Sequence, residues 1–421
     1  MKILMIGSGG REHALIKKLK ESEKVSHLYC APGNGGISLD AQCLPEIGPL
    51  DSEKILAFSQ KNKIDLVFVA PDDPLAAGLV DLLEKNGIKA FGPNKRAAQI
   101  EASKVFAKNL MKKHSIPTAE YEVFEKSADA INYIEQQNSY PTVIKADGLA
   151  LGKGVIIAEN FESAKAAVNS IMEKKIFGQA GKQLVVEEYL SGPEVSILAF
   201  VDGESIIPMV SSMDHKRAYD GDKGPNTGGM GAISPNPFYD EKTSQYCMEH
   251  IFKPTVRAMS KESRPFKGCL YFGLMLTMEG PKVIEYNARF GDPETQVVLP
   301  RLKTPLIDIV LAVTDSKLSE IKIEWDDKAC VCIVLASGGY PGDYEEGYQI
   351  TGLEKLAKLN DVEVYHSGTS IKNGDFLSSG GRVLGVSAKA DTLDQALSKA
   401  YSAIGEIKMK SGFYRKDIGA M

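Results

Sequence analysis

The chain opens on an apolar run, Lys2 to Ile6, then a helical pattern over Ala14 to Leu19, and the alternation continues through Ile64 to Ala70, Leu75 to Glu84 and Ile88 to Phe91. Short β-branched runs alternating with amphipathic stretches predict βαβ units on a parallel sheet. Asn94 to His114 reads as one long connecting helix, with Ala97, Ile100, Val105, Phe106 and Leu110 on its apolar side. From Ser115 to Leu190 the pattern is strand, helix (Ser127 to Gln137), strand (Pro141 to Ala146), glycine loop, strand (Val155 to Ala158), helix (Phe161 to Lys174) and strand (Gln183 to Leu190). That order predicts a small lid-like α+β unit. Glu194 to Ser211 predicts a hairpin turning at Asp202-Gly203, and Leu270 to Thr277 with Lys282 to Arg289 a second one turning at Glu279-Gly280. After a helix at Leu306 to Leu318, the chain from Ala329 onward is strand-rich and closes with a helix over Leu393 to Ile407.

With 421 residues, two to four domains are expected. Hydrophobic residues at 43% and charged residues at 25% are those of an ordinary folded protein, which excludes extensive disorder. A net charge of −5 gives no global attraction to nucleic acid or an anionic membrane, so any phosphate binding must come from local loops. The six cysteines have no paired metal spacing and read as reduced packing residues. Neither a signal peptide nor a bilayer-spanning run is apparent, so the expected location is cytoplasmic.

Chemistry is carried by five segments. Gly7-Ser8-Gly9-Gly10-Arg11-Glu12 follows a strand and opens a helix, where free N–H groups and the helix dipole favour an anion. The dinucleotide fingerprint needs a third glycine where Glu12 stands, so a phosphosugar or another anion fits better than a nicotinamide cofactor. A tight turn without a ligand is the plainer alternative. Lys145 ends a strand ahead of Gly148, Gly152, Lys153 and Gly154, a flexible backbone with ammonium groups that suits a polyphosphate. It is not a Walker loop, because Gly154 replaces Ser or Thr and a strand follows; a solvated hairpin turn is the competing explanation. Glu187 and Glu188 end an apolar strand near Leu190 and Glu194, where carboxylates can accept from an adenine amine or ribose hydroxyls, although a solvated strand end is the commoner explanation of two acids.

Lys282 to Gln296 carries the most. Strand period places Glu285, Asn287 and Arg289 on one face and Ile284, Tyr286 and Ala288 on the other. Hard Mg2+ prefers such oxygen donors together with phosphate oxygens, and Arg289 suits charge developing on a transferring phosphoryl group. Asp292 and Glu294 add acids that can orient an ammonium; polar residues on a solvated strand face are the competing explanation of the segment. Finally, Ser211 to Arg217 and Gly224 to Gly231 form a long polar loop in which Asp214, Lys216 and Arg217 suit a zwitterionic or phosphorylated substrate; a mobile surface loop is the alternative.

In order, Gly7-Ser-Gly-Gly-Arg-Glu-His-Ala14, Ala31-Pro-Gly-Asn34, Lys145-Ala-Asp-Gly-Leu-Ala150, Asp214-His-Lys-Arg217, Gly224-Pro-Asn-Thr-Gly-Gly-Met-Gly231, Arg289-Phe-Gly-Asp-Pro-Glu-Thr-Gln296, Gly338-Gly-Tyr-Pro-Gly342 and Arg415-Lys-Asp-Ile-Gly419 cover nearly the whole chain. Together they resemble the glycinamide ribonucleotide synthetase family of the ATP-grasp superfamily. The resemblance implies an α/β and α+β multidomain fold: a preATP-grasp βαβ domain over 1–101, a two-part ATP-grasp core over 102–325 with its lid at about 120–190, and a strand-rich C-terminal domain over 326–421. It also implies ATP-dependent ligation of glycine to 5-phosphoribosylamine through glycyl phosphate, in purine biosynthesis, with ATP as substrate and Mg2+ or Mn2+ as cofactor.

By the same resemblance Lys104, Lys145, Gly152, Lys153 and Gly154 contact ATP phosphates, and Glu187, Glu188, Leu190 and Glu194 surround adenosine. Glu285 and Asn287 match the family's metal ligands. Gly9, Gly10, Arg11, Glu12, Asp214, Lys216, Arg289, Asp292 and Glu294 surround the amine and glycine substrates, with Arg289, Asp292 and Lys216 expected to be catalytic. Ala288 departs from the cysteine often found there, on the face away from the metal. The chain ending soon after Gly419 implies a stand-alone enzyme. No nucleic-acid or membrane partner is expected; a monomer and a transient contact with the preceding pathway enzyme fit the resemblance. Other readings are a different ATP-grasp carboxylate-amine ligase, a nicotinamide oxidoreductase, or a non-catalytic nucleotide-binding regulator.

Overall fold

The first five strands pair in the order Gln42–Cys43, His27–Pro32, Lys2–Gly7, Leu66–Val69 and Ala90–Phe91, all parallel, in a computed structural model that describes residues 1–149 and 154–420. Strands covered on both faces must be apolar throughout, which is why Ile3 to Ile6 and Leu66 to Val69 are all buried. The order runs one way from Lys2–Gly7 and the other way from Leu66–Val69. Such a reversal opens a crevice beyond the carboxyl ends of the central strands. The Gly7 to Gly10 turn lies at that edge.

The expected helix over Asn94 to His114 is two helices, Gln99–Ala102 and Lys104–Lys113, broken at Ser103. Ser103 is extended (φ −137°, ψ 112°) and caps the second helix, its Oγ accepting from Phe106 N at 3.0 Å. The same hydroxyl donates to Asp147 Oδ1 at 3.0 Å, so the break ties this helix to the strand-ending loop after Lys145. Leu75 to Glu84 likewise divides into Asp72–Ala77 and Leu79–Lys85 about Gly78, whose φ of +97° interrupts the helix. Two other predicted helices stop early: Phe161–Val168 continues as a wide turn over Asn169–Glu173, and Leu306–Thr314 is followed by a short 3₁₀ turn at Leu318–Glu320.

Residues 121–188 form an antiparallel sheet in the order Tyr121–Phe124, Leu184–Glu188, Thr142–Ala146, Val155–Ala158. Its helices Ser127–Gln137 and Phe161–Val168 close over a core of their own that includes Ile134, Ile144, Val168, Leu184 and Val186. Facing it is the sheet Ile206–Pro208, Glu194–Asp202, Lys267–Thr277, Gly280–Asn287, both expected hairpins being present. Register slips by one residue where Gly273 faces Glu285 and Leu274 faces Val283, leaving Ile284 as a bulge. Strict alternation therefore fails at Ile284, which is half-exposed, while Tyr286 and Ala288 are buried as expected.

The last large sheet has the order Met213–Asp214, Gly231–Ser234, Ala329–Ala336, Arg382–Ala390, Val362–His366. Two of its strands come from the region read as a polar loop. That region is instead short strands: Met213–Asp214 and Gly231–Ser234 join this sheet, and Arg217–Tyr219 pairs with Lys223–Asn226 as a separate hairpin. The helix Leu393–Gly405 packs on Ala329–Ala336 and Arg382–Ala390 through Ala396, Ala400 and Ile404. Five of the cysteines are buried, Cys43 is half-buried, and all are free thiols.

Candidate active site

Three segments converge on residues 284–292. The first is the Gly7 to Glu12 turn. Gly7 has φ +123°, and a Cβ there would fall 2.6 Å from Glu12 Cγ. Glycine is needed because Glu12 folds back over the turn and accepts from Gly9 N at 2.6 Å and from Arg11 Nε at 2.7 Å. The expectation of free N–H groups is thus corrected at Gly9, whose donor is taken by the protein's own carboxylate. Arg11, held by Glu12, donates to Phe290 O at 3.1 Å and so reaches the far side of the crevice.

The second segment is the lid strand pair with its supporting helix. Glu187 is 4% exposed, and its Oε2 receives Lys108 Nζ at 2.9 Å and Lys145 Nζ at 3.0 Å; its Oε1 is buried without a partner. Lys145 also donates to Ile284 O at 2.9 Å, which the bulge presents. Lys104 donates to Gly148 O at 2.9 Å, and Gly154 O accepts from Ala146 N at 2.9 Å. Gly152 and Lys153 lie outside the described residues. Burial lowers Lys108 to about 8 against the pull of Glu187, and burial likewise lowers Lys104 against Glu285. Glu188 is exposed at the strand end, where its Oε2 accepts from Glu120 N at 3.2 Å, and Leu190 is buried.

The third is the Asp214 to Gly231 region. Lys216 Nζ lies 3.0 Å from Glu194 Oε2 and 3.5 Å from Glu285 Oε1. Burial opposes its charge, but Glu194 and Glu285 prevail and hold the ammonium well above its ordinary value. Asp214 Oδ1 is buried without a partner, and burial, reinforced by Glu294, raises its carboxyl well above the carboxylate range. Glu294 is raised by burial too, and accepts from Ser196 Oγ at 3.2 Å. An ammonium arriving here would meet Asp214 Oδ1, a carboxyl oxygen that the protein leaves without a partner. Gly229 permits this approach: a Cβ on it would lie 2.6 Å from Asp214 Oδ1 and 2.4 Å from Pro293 Cδ.

Where the segments meet, Glu285, Asn287 and Arg289 share the open face as the strand period predicts. Burial favours a protonated Glu285, yet Lys216, Lys145, Lys104 and Arg289 together lower it, so it stands as a carboxylate. Arg289 Nη2 lies 3.3 Å from Asn287 Oδ1 and 3.0 Å from Glu101 Oε1, and its Nε is buried and unpaired. Among the described residues no cluster of three or more His, Cys, Asp or Glu could hold a metal. Two adjacent hard oxygens at an open face nevertheless fit Mg2+, which takes its remaining ligands from water and phosphate.

Four contributors escaped the sequence reading: Glu101, Lys108, Gln296 and Arg382. Glu101 Oε2 also accepts from Ala288 N at 2.7 Å, so one buried carboxylate fixes both the end of the Gly280–Asn287 strand and Arg289. Arg382 pairs with Asp292 Oδ1 at 3.3 Å, donates to Asp292 O at 3.0 Å and also donates to Gly228 O. Gln296 Nε2 donates to Asp292 Oδ1 at 2.7 Å. Although burial raises it, Asp292 is lowered overall by Arg382 and Arg11. Ser8, Gly9, Asn34, Asp292, Ser367 and Arg382 line part of a cleft of about 450 Å³ between the first turn and the C-terminal sheet.

The same cleft-forming segments are matched by known proteins. Residues 1–101, 102–295 and 330–421 match in turn the N domain, the ATP-grasp (A) domain and the C domain of phosphoribosylglycinamide synthetase. A phosphoribosylamine–glycine ligase of Caldanaerobacter subterraneus is 50% identical over 420 residues, covering 100% of both chains. One from Salmonella typhi is 47% identical over 100% of this chain and 98% of its own. The crystal structure of the Thermotoga maritima phosphoribosylamine–glycine ligase superposes with a TM-score of 0.86 at 32% identity, covering 99% of this chain and 100% of that one. A biotin carboxylase domain from Hydrogenobacter thermophilus, at 14% identity and a TM-score of 0.75 over 98% of this chain and 91% of its own, shares the fold. The chain belongs to the phosphoribosylglycinamide synthetase family of ATP-grasp ligases.

Proposed function

We propose that the cleft ligates glycine to 5-phosphoribosylamine with ATP, giving glycinamide ribonucleotide, ADP and phosphate, the step in purine biosynthesis that the relatives' name describes. The observation that carries this assignment of roles is the meeting, at residues 284–292, of a lysine-lined phosphate face with an acid-rich pocket at Asp214 and Glu294.

Glycine's carboxylate resists attack by an amine because its charge is delocalised and its leaving group would be oxide. Attack of that carboxylate on the γ-phosphate gives glycyl phosphate, and the amine then displaces phosphate from the acyl carbon. Lys104, Lys145 and Lys153, with Gly152 and Gly154, hold the polyphosphate, and Lys145 is kept in place by Glu187 and Ile284 O. The unpaired Glu187 Oε1 is an acceptor available to an adenine amine, with Glu188, Leu190 and Glu194 around the nucleoside. Arg289 and Lys216 neutralise charge as phosphoryl transfer proceeds. Asp214 and Glu294 take the glycine ammonium. Arg11 and Asp292, on Gly9, Gly10 and Glu12, face the amine substrate. A divalent metal, Mg2+ or Mn2+, held by Glu285 and Asn287 would add charge neutralisation at the phosphates. Closure of the 120–190 lid would exclude water from the acyl phosphate.

No helix among the described residues is long and apolar enough to cross a membrane, and a cytoplasmic enzyme acting on free small molecules is the reading that fits a purine pathway. The domain limits 1–101, 102–325 and 326–421 remain the proposed division. The direct test is ADP release from purified protein with Mg2+, ATP, glycine and phosphoribosylamine formed in place from ribose 5-phosphate and ammonia. Release that requires both co-substrates is expected. ADP formed without either would overturn the assignment and favour another ATP-grasp ligase.

A further inference from the structure

The segment Arg415 to Gly419 lies far along the chain from the cleft, and nothing in the reaction above uses it. Arg415 is 2% exposed, although guanidinium groups are seldom buried unless paired. It holds Asp417 in a fork, Nε to Oδ1 at 2.8 Å and Nη2 to Oδ2 at 2.8 Å. Its third nitrogen, Nη1, crosses to the Arg217 to Asn226 hairpin, donating to Asp222 Oδ1 at 2.8 Å and to Arg217 O at 3.1 Å.

Neighbouring groups make the same crossing. Gly221 N donates to Asp417 Oδ2 at 2.7 Å, Lys416 N donates to Asp220 Oδ1 at 2.8 Å, and Gly419 N donates to His215 Nε2 at 3.1 Å. Tyr219 packs against Phe413 with ring centroids 6.0 Å apart. The hairpin itself is two-stranded with only the pairs Arg217↔Asn226 and Tyr219↔Lys223, too little to hold its shape alone. Its base is Lys216, whose carbonyl accepts from Thr227 N and from Thr227 Oγ1, each at 2.8 Å.

We infer that Arg415, through its fork with Asp417, is a positioning residue that clamps the Arg217–Asn226 hairpin and thereby sets Lys216 and Asp214 in the cleft. Arg415 touches no reacting group; it acts on the backbone from which Lys216 springs. This inference rests on the role given to Lys216 above. It explains why a charge network of Arg415, Asp417, Asp220 and Asp222 is built around a hairpin that would otherwise be free to move with the substrate.

The test is a double-substitution cycle in the full-length enzyme, with tryptic cleavage after the exposed Lys223 as an activity-independent readout. Arg415→Met should lower kcat by about tenfold to a hundredfold, the loss expected from displacing a catalytic group by roughly 1 Å. It should leave the KM for ATP near that of the parent enzyme and speed cleavage at Lys223. In a Lys216→Met background the same substitution should cost much less, because the group it positions is gone. Should Arg415→Met fail to fold, Asp220→Ala with Asp222→Ala, both on the exposed hairpin, removes the contacts from the other side and should change kcat and cleavage in the same direction. Fully additive losses, or unchanged cleavage at Lys223 in both sets of variants, would overturn the clamp. Undiminished turnover in Lys216→Met alone would instead overturn the role of Lys216, and cleavage at Lys223 would still report on the clamp.

Discussion

Replacing Glu187 by glutamine removes the one carboxylate that, among the described residues, both Lys108 and Lys145 touch, while nearly preserving side-chain volume. Each ammonium lies 2.9–3.0 Å from Oε2, so at an effective dielectric of about 20 each attraction is of order 5 kcal/mol. Against this stand the desolvation of three charges and the mutual repulsion of the two lysines. Measured losses on breaking a buried pair by removing one partner are about 3–5 kcal/mol, and that is the loss expected for Glu187→Gln near pH 6. Lys108 supplies a sign that distinguishes this cause from a packing defect. Its folded-state value is depressed from 10.5 to about 8, so the unfolded chain binds more protons between those limits and stability rises with pH there. In the variant Lys108 falls further, becomes neutral earlier, and the difference from the parent enzyme shrinks toward pH 9. The assay is urea unfolding at pH 6 and pH 9 followed by circular dichroism, since the single tryptophan, Trp325, packs on a different core. A loss below about 1 kcal/mol at pH 6, or one that does not narrow with pH, would refute the buried-triad reasoning.

Glu285→Gln removes charge from the proposed metal site but keeps the shape of the half-exposed side chain. Turnover should nearly vanish while the far-UV circular dichroism stays that of the parent, and unchanged turnover would move the metal elsewhere. Glu101→Gln tests the support of Arg289. Burial lifts this carboxyl from 4.5 to about 7 despite Arg289, so the native state holds its proton more tightly than the unfolded chain. Stability contributed by the protonated form is therefore present below pH 4.5 and falls as pH rises to about 7, by an amount on the order of 3 kcal/mol. In Glu101→Gln that decline should be absent from urea midpoints measured between pH 5 and pH 8, and kcat should fall because Arg289 loses its anchor; a parallel decline in both proteins would remove Glu101 as its source.

What the sequence disclosed and what it withheld follow from the range of the interactions involved. Glu285, Asn287 and Arg289 were legible because a strand repeats every two residues, and a period that short is visible in the chain itself. The bulge at Ile284 was not legible, since it depends on the partner strand at Gly273 and Leu274, and it is the bulge that turns Ile284 O toward Lys145. Glu12 could be seen to break a dinucleotide fingerprint, but not that its carboxylate would take the Gly9 N–H; both partners lie within one turn, yet φ at Gly7 decides the outcome. Ser103 looks like any polar residue in a helical pattern until Asp147 arrives from the lid to share its hydroxyl. Glu101 and Ala288 stand 187 positions apart, and Arg382 meets Asp292 from a strand of another sheet, 90 positions further along the chain. The groups proposed to meet substrate are therefore written in local motifs, whereas the groups that hold them at the right angle come from elsewhere in the chain. This division has a physical cause. A ligand-contacting side chain must be of one chemical type wherever the backbone presents it, but a supporting side chain is defined by the gap that folding leaves around the first. Glu101, Lys108 and Arg382 fill such gaps, and each is a buried or largely buried charge that gains its partner only in the folded molecule.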